Sequence, residues 1–83
     1  MIDTIDSEKV RAAARKVVEK QLGYAVADDD PLVSSGLIDS LSVVQLITAL
    51  EKELGVHLPA ANLQPDDFDS IDYTVETVMR VAK

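Results

Sequence analysis

A chain of 83 residues is long enough for a few helices around one apolar centre and too short for a sizeable two-layer core or a second domain. Its 15 acidic and 8 basic side chains leave a formal net charge of -7, which repels duplex DNA and anionic membranes and matches a basic patch on a protein partner, or serves solubility alone. Apolar content of 47% is that of a globular chain, and the lack of cysteine excludes disulfides and thiolate metal sites.

The first residues carry neither the basic segment nor the uninterrupted apolar run of a signal peptide, and no later window approaches a membrane span. A soluble, cytoplasmic monomer is expected. From Ile5 to Leu22 the positions Val10, Ala13, Ala14, Val17, Val18 and Leu22 follow the i, i+3, i+4 rhythm of a helix. Asp6 suits its N-cap, Ile5 and Val10 suit a hydrophobic staple around that cap, and Gly23 a left-handed stop. Residues 24–38, "YAVADDDPLVSSGLI", mix Pro, Gly, Ser and consecutive aspartates, so no regular element runs through them. This long connection is expected to be pinned to the core by apolar side chains among Tyr24, Val26, Leu32, Val33, Leu37 and Ile38.

A second helix is predicted over Ser40–Leu54, ended by Gly55, after which Val56 and Leu58 return to the core. A short helical turn fits Pro65 to Asp69, with proline at its first position and acids in its first turn. The last helix shows Ile71, Val75, Val78, Met79 and Ala82 on one stripe, with a cap expected among Asp72 to Thr74. No strand pattern is long enough to build a sheet, so the chain reads as all-α.

The second helix has more apolar side chains than one buried face uses. At roughly 100° per residue, Val43, Leu46, Ile47, Leu50 and Leu54 share one side, while Leu41 and Val44 fall outside it beside Gln45 and Thr48. Either the preceding loop folds over these two, or they form an apolar docking patch. Asp39 and Ser40 at the helix entrance are both good caps, and the same entrance favours a phosphate through its free amides and dipole. A catalytic serine does not fit: the only histidine, His57, follows the far end of the helix, roughly 20 Å away. It suits a surface or C-terminal capping role. Asp28, Asp29 and Asp30 lack the alternating spacing of a calcium loop.

The segment "GLIDSLSVVQLITALEKELGVHLP" resembles the centre of acyl carrier proteins, whose Asp-Ser-Leu motif receives 4'-phosphopantetheine on its serine; here the motif is Asp39, Ser40 and Leu41. The resemblance extends from about Leu32 to Pro59 and agrees with the helix order of the whole chain. It implies a four-helix bundle with a short third helix and a long loop between helices one and two, a single carrier domain over residues 1–83. It also implies that Ser40 bears the cofactor, that the chain has no catalytic residue and no metal, and that acyl groups ride as thioesters on the cofactor's thiol. Implied partners are a phosphopantetheinyl transferase, an acyl- or aminoacyl-loading ligase and a downstream acyltransferase or synthase, docking on Asp39, Leu41, Val44, Gln45 and Glu51.

Fatty-acid carriers place acids where this chain has Ser42 and Gln45, although Glu51 and Glu53 remain for a basic partner. The runs "GLIDSLSVVQLI" and "DDFDSI" look closer to stand-alone carriers such as D-alanyl carrier proteins. An aminoacyl or short acyl cargo is therefore expected. The chain begins at a methionine and ends soon after the last helix, which disfavours a peptidyl carrier excised from a synthetase. An unmodified helical adaptor that binds a partner through Leu41 and Val44 is the alternative from another functional class.

Overall fold

The computed structural model describes residues 6–82, and every regular element among them is helical. Helix α1 spans Ser7–Leu22, α2 Ser40–Leu54 and α3 Ile71–Val81, with 3₁₀ turns at Ala60–Asn62 and Pro65–Phe68 between α2 and α3. Asp6 caps α1 as expected, its Oδ1 accepting the Lys9 amide at 2.8 Å; the staple partner Ile5 lies outside the described residues. Gly23 and Gly55 end α1 and α2 in the left-handed conformation, at φ 86° and 68°.

The described residues hold three α-helices rather than the four expected, with only the two 3₁₀ turns between α2 and α3; the second of these is the short turn expected from Pro65 to Asp69. Pro65 opens the second turn, the Gln64 amide donates to Asp67 Oδ2 at 2.9 Å, and extended backbone at Ser70 follows almost at once. One turn is all that this spacing holds. It nevertheless places Phe68, the largest fully buried side chain, against both α2 and α3. Helix α1 packs on α2 and on α3, so the core has Val10, Ala14 and Val18 of α1 facing Leu46 and Leu50 of α2 and Ile71 and Val78 of α3.

The α3 cap differs from expectation. Ser70, not a residue among Asp72 to Thr74, is the N-cap, and its Oγ accepts the Tyr73 amide at 3.0 Å. Helix α3 therefore starts with a buried residue, Ile71, and its buried face runs through Thr74, Val75, Thr77 and Val78, leaving Met79 exposed. Both threonines are buried at no loss of hydrogen bonding: Thr74 Oγ1 donates to the Ser70 carbonyl at 2.8 Å and Thr77 Oγ1 to the Asp67 carbonyl at 2.9 Å.

The connection between α1 and α2 is anchored by Val26, Leu32 and Ile38, all buried, with Val33 partly so; Tyr24 and Leu37 stay exposed. Its polar anchors are as important. Arg15 donates to the Val26 carbonyl at 2.7 Å, Arg11 Nη1 reaches Asp28 and Asp72 at 2.6 Å each, and Arg15 also pairs with Asp28. Asp30 accepts the Ala27 amide at 2.7 Å, so Asp28 and Asp30 of the acidic run both help to hold the loop. Among the described residues no helix is long and apolar enough to cross a membrane.

Phe68→Ala should lose about 3–5 kcal/mol, a large part of the ~5–15 kcal/mol available to a natural domain. Urea unfolding should show a much lower midpoint.

Candidate functional site

The entrance to α2 is built by the end of the loop. Gly36 adopts φ 87°, a region that side chains with a Cβ rarely enter, and its amide donates to the Val33 carbonyl at 3.0 Å. The Ile38 amide then donates back to the Leu32 carbonyl at 2.9 Å, and the Ile38 side chain is buried. With Ile38 inserted, the next two residues emerge at the surface. Asp39 is extended and is the N-cap, its Oδ1 accepting the Ser42 amide at 2.8 Å while its carbonyl accepts the Val43 amide at 3.0 Å. That amide contact with Ser42 holds the Asp39 carboxyl below its ordinary pKa.

Of the two residues suited to the cap, Asp39 takes it, and Ser40 becomes the first residue of α2. Ser40 is exposed, and no hydrogen bond among the described residues engages its hydroxyl. The histidine that could serve a catalytic serine as general base is far off in the fold: His57 follows the opposite end of α2, is largely exposed, and has its Nδ1 3.4 Å from Glu51 Oε2.

Asp69 is the residue that sequence patterning did not single out. Its Oδ1 accepts the amides of Val33 and Ser34 at 2.7 and 2.8 Å, and its carbonyl accepts the Leu32 amide at 2.6 Å. The Ser34 amide is the main cause holding its carboxyl below the ordinary pKa, against a smaller opposing effect of burial. Leu32 is also the residue whose carbonyl receives the Ile38 amide, so Asp69 fixes the strand of loop that leads to Asp39.

The loop leaves the surplus apolar residues uncovered: Leu41 is 72% and Val44 56% exposed, with Leu37 nearby in sequence and also exposed. Gln45 and Thr48 are exposed on the same helix. The acids of α2 have other employment. Glu51 Oε2 accepts the Leu58 amide at 2.8 Å beside His57, and Glu53 pairs with Lys16 at 3.0 Å.

A site of this kind offers an exposed hydroxyl at the positive end of a helix. That combination fits a phosphodiester-linked group, since free first-turn amides and the helix dipole favour its charge. Residues 12–78 match the family described as "Phosphopantetheine attachment site". The chain is also similar to proteins named D-alanyl carrier protein, 28% identical in Streptococcus sanguinis and in Streptococcus thermophilus strain LMD-9 and 24% in Streptococcus mutans, over 83% of this chain and 90% of each relative. The chain belongs to the phosphopantetheine attachment-site family: it is a carrier that bears 4'-phosphopantetheine on a serine, and not itself an enzyme.

Proposed function

We propose that Ser40 is the attachment serine and that the protein carries an acyl group, an aminoacyl group foremost, between a loading ligase and a downstream acceptor enzyme. The observation that carries this is the placement of Ser40 as the exposed first residue of α2, with the cap duty taken by its neighbour Asp39. Once bound, 4'-phosphopantetheine supplies the thiol to which the cargo is attached, a group this cysteine-free chain does not have. Relatives named D-alanyl carrier proteins favour the aminoacyl cargo.

The chain's own residues present the site. Asp39 fixes the first turn of α2 and Ile38 fixes where that turn leaves the core, so Ser40 faces an approaching enzyme. Asp69 holds the loop that precedes them. Leu41, Val44 and Gln45 give a phosphopantetheinyl transferase, a ligase or an acyltransferase an apolar surface beside the serine.

Incubation with coenzyme A and a phosphopantetheinyl transferase should raise the intact mass by one phosphopantetheinyl group, and Ser40→Ala should abolish the gain. Labelling that persists, or that maps to Ser34, Ser35 or Ser42, overturns the assignment. Val44→Asp should change stability by no more than about 0.5 kcal/mol while modification or loading falls sharply, because a surface side chain there touches partners and not the core. A thermal melt paired with the labelling assay separates those effects.

Asp69→Ala should leave a folded protein that is modified more slowly, since the Val33 and Ser34 amides lose their carboxylate acceptor while the Leu32 amide keeps the backbone carbonyl. The acid dependence has a definite sign. The carboxyls of Asp39 and Asp69 are lowered in the folded state, so their stabilisation is complete above the ordinary carboxylate range and is lost as pH falls below about 4. The Asp69→Ala protein should therefore lose less stability than the parent when urea midpoints at about pH 6 and about pH 3 are compared.

A further inference from the structure

Charge is sorted by residue type in this molecule. The arginines turn to acids of the loop and of the α3 side: Arg11 to Asp28 and Asp72, Arg15 to Glu19 and Asp28, Arg80 to Asp67. The described lysines Lys9, Lys16, Lys20 and Lys52 all line two adjoining grooves along the seam of α1 and α2, of about 400 and about 290 Å³. Glu53 is the one acid lining them, and Lys16 neutralises it at 3.0 Å. Lys9, Lys20 and Lys52 have no acid within 4.0 Å among the described residues.

On α1, Lys9, Lys16 and Lys20 are seven and four residues apart, which keeps them within about 40° of one another along roughly 16 Å of helix. Ala12 and Ala13 on one wall and Ala49 on the other are too short to close the seam, so a trough lies between the ammonium groups. Gln21 and Gln45 add amide groups at its end nearer Ser40. Gln45 follows Leu41 by one turn of α2, so the trough continues from the proposed docking surface.

We propose that the α1/α2 seam receives an extended acidic segment of an enzyme that docks on α2. About five residues at ~3.3 Å each match the lysine stripe. The choice of an acidic occupant follows from local charge: at physiological salt the Debye length is about 8 Å, so a segment in the trough meets the lysines and not the net charge of the molecule. A protruding chain enters such a concavity, whereas a flat anionic membrane does not. The proposal rests on the carrier function for its partner, but not on the attachment serine.

The test is a titration of ¹⁵N-labelled protein with pentaglutamate, begun at about physiological salt so that the net charge of the molecule is screened. Amide shifts should concentrate on Lys16, Lys20, Gln21, Gln45 and Lys52 and weaken as salt is added. Lys20→Glu/Lys52→Glu should bind about tenfold more weakly and stay folded, with a melting temperature lowered modestly because both lysines sit in the last turn of their helices, and Lys20→Arg/Lys52→Arg should bind and melt like the parent. Ser40→Ala should give the parent's map, so failure of the attachment assignment leaves this result standing. Shifts spread over the whole surface, or a charge-reversed protein that binds equally, overturn the proposal. So does sedimentation with vesicles containing phosphatidylglycerol when it depends on the same lysines and pentaglutamate shows no localised shifts, which assigns the seam to a lipid surface.

Discussion

Between Gly23 and Asp39 the backbone has no helix or strand to pair with, yet it must reach the start of α2 in one defined place. Where that backbone is buried, its amides and carbonyls are met by turns within the loop and by groups from elsewhere in the chain. Asp69 does most of this at the end that matters for function, accepting three consecutive amides from Leu32, Val33 and Ser34 with its carbonyl and one carboxylate oxygen. The carbonyl of Leu32 can then receive the Ile38 amide, and burial of Ile38 sets the surface position of Asp39 and Ser40. Presentation of the serine is thus a consequence of a contact made by a residue 29 positions further along the chain. A loop held this way keeps a fixed exit angle without giving up the exposed surface around Leu37, Leu41 and Val44.

The opposite end of the loop is secured by arginine for a related reason. One guanidinium offers several donors in a rigid plane, so Arg11 can join Asp28 and Asp72, and Arg15 can serve Glu19, Asp28 and the Val26 carbonyl together. Lysine, a hydrated point charge on a flexible stem, is poorly suited to that work, and the lysines among the described residues lie instead along the open α1/α2 seam. Exposed pairs of this kind add little stability singly. Their value here is geometric, because three elements meet at Asp28 and Asp72, whose own backbones are joined by the Asp72 amide and the Asp28 carbonyl at 3.0 Å.

Features encoded within a few residues were legible in the sequence: the caps and stops at Asp6, Gly23 and Gly55, the bounds of α2, and the place of Leu41 and Val44 outside the buried stripe, although periodicity left open whether the loop covers them. Features that need a distant partner were not. Asp69 looked like any acid of a turn, because the amides it serves lie 35 and 36 positions away. Ser70 was passed over as a cap because Asp72 and Thr74 are equally good cap types, and only burial of Ile71, Thr74 and Thr77 decides the register. Glu51 and Glu53 showed their charge in the sequence but not their engagement with Leu58 and Lys16, so α2 looked more acidic than the surface it presents.

That difference changes how the face of α2 meets a partner. With Glu51 turned to the loop after α2 and Glu53 matched by Lys16, the outward groups that follow Leu41 along the helix are Gln45, Thr48 and Lys52. The serine end is apolar and the far end is basic. In the proposed arrangement, long-range attraction belongs to the seam and close fit to Leu41 and Val44, two properties that substitutions can alter separately. Reactivity needs neither, since the family's chemistry belongs to a thiol that arrives with the cofactor and to the enzymes that use it. On the proposed assignment of Ser40, what the described residues contribute is a fixed exit for that serine and an exposed apolar surface beside it.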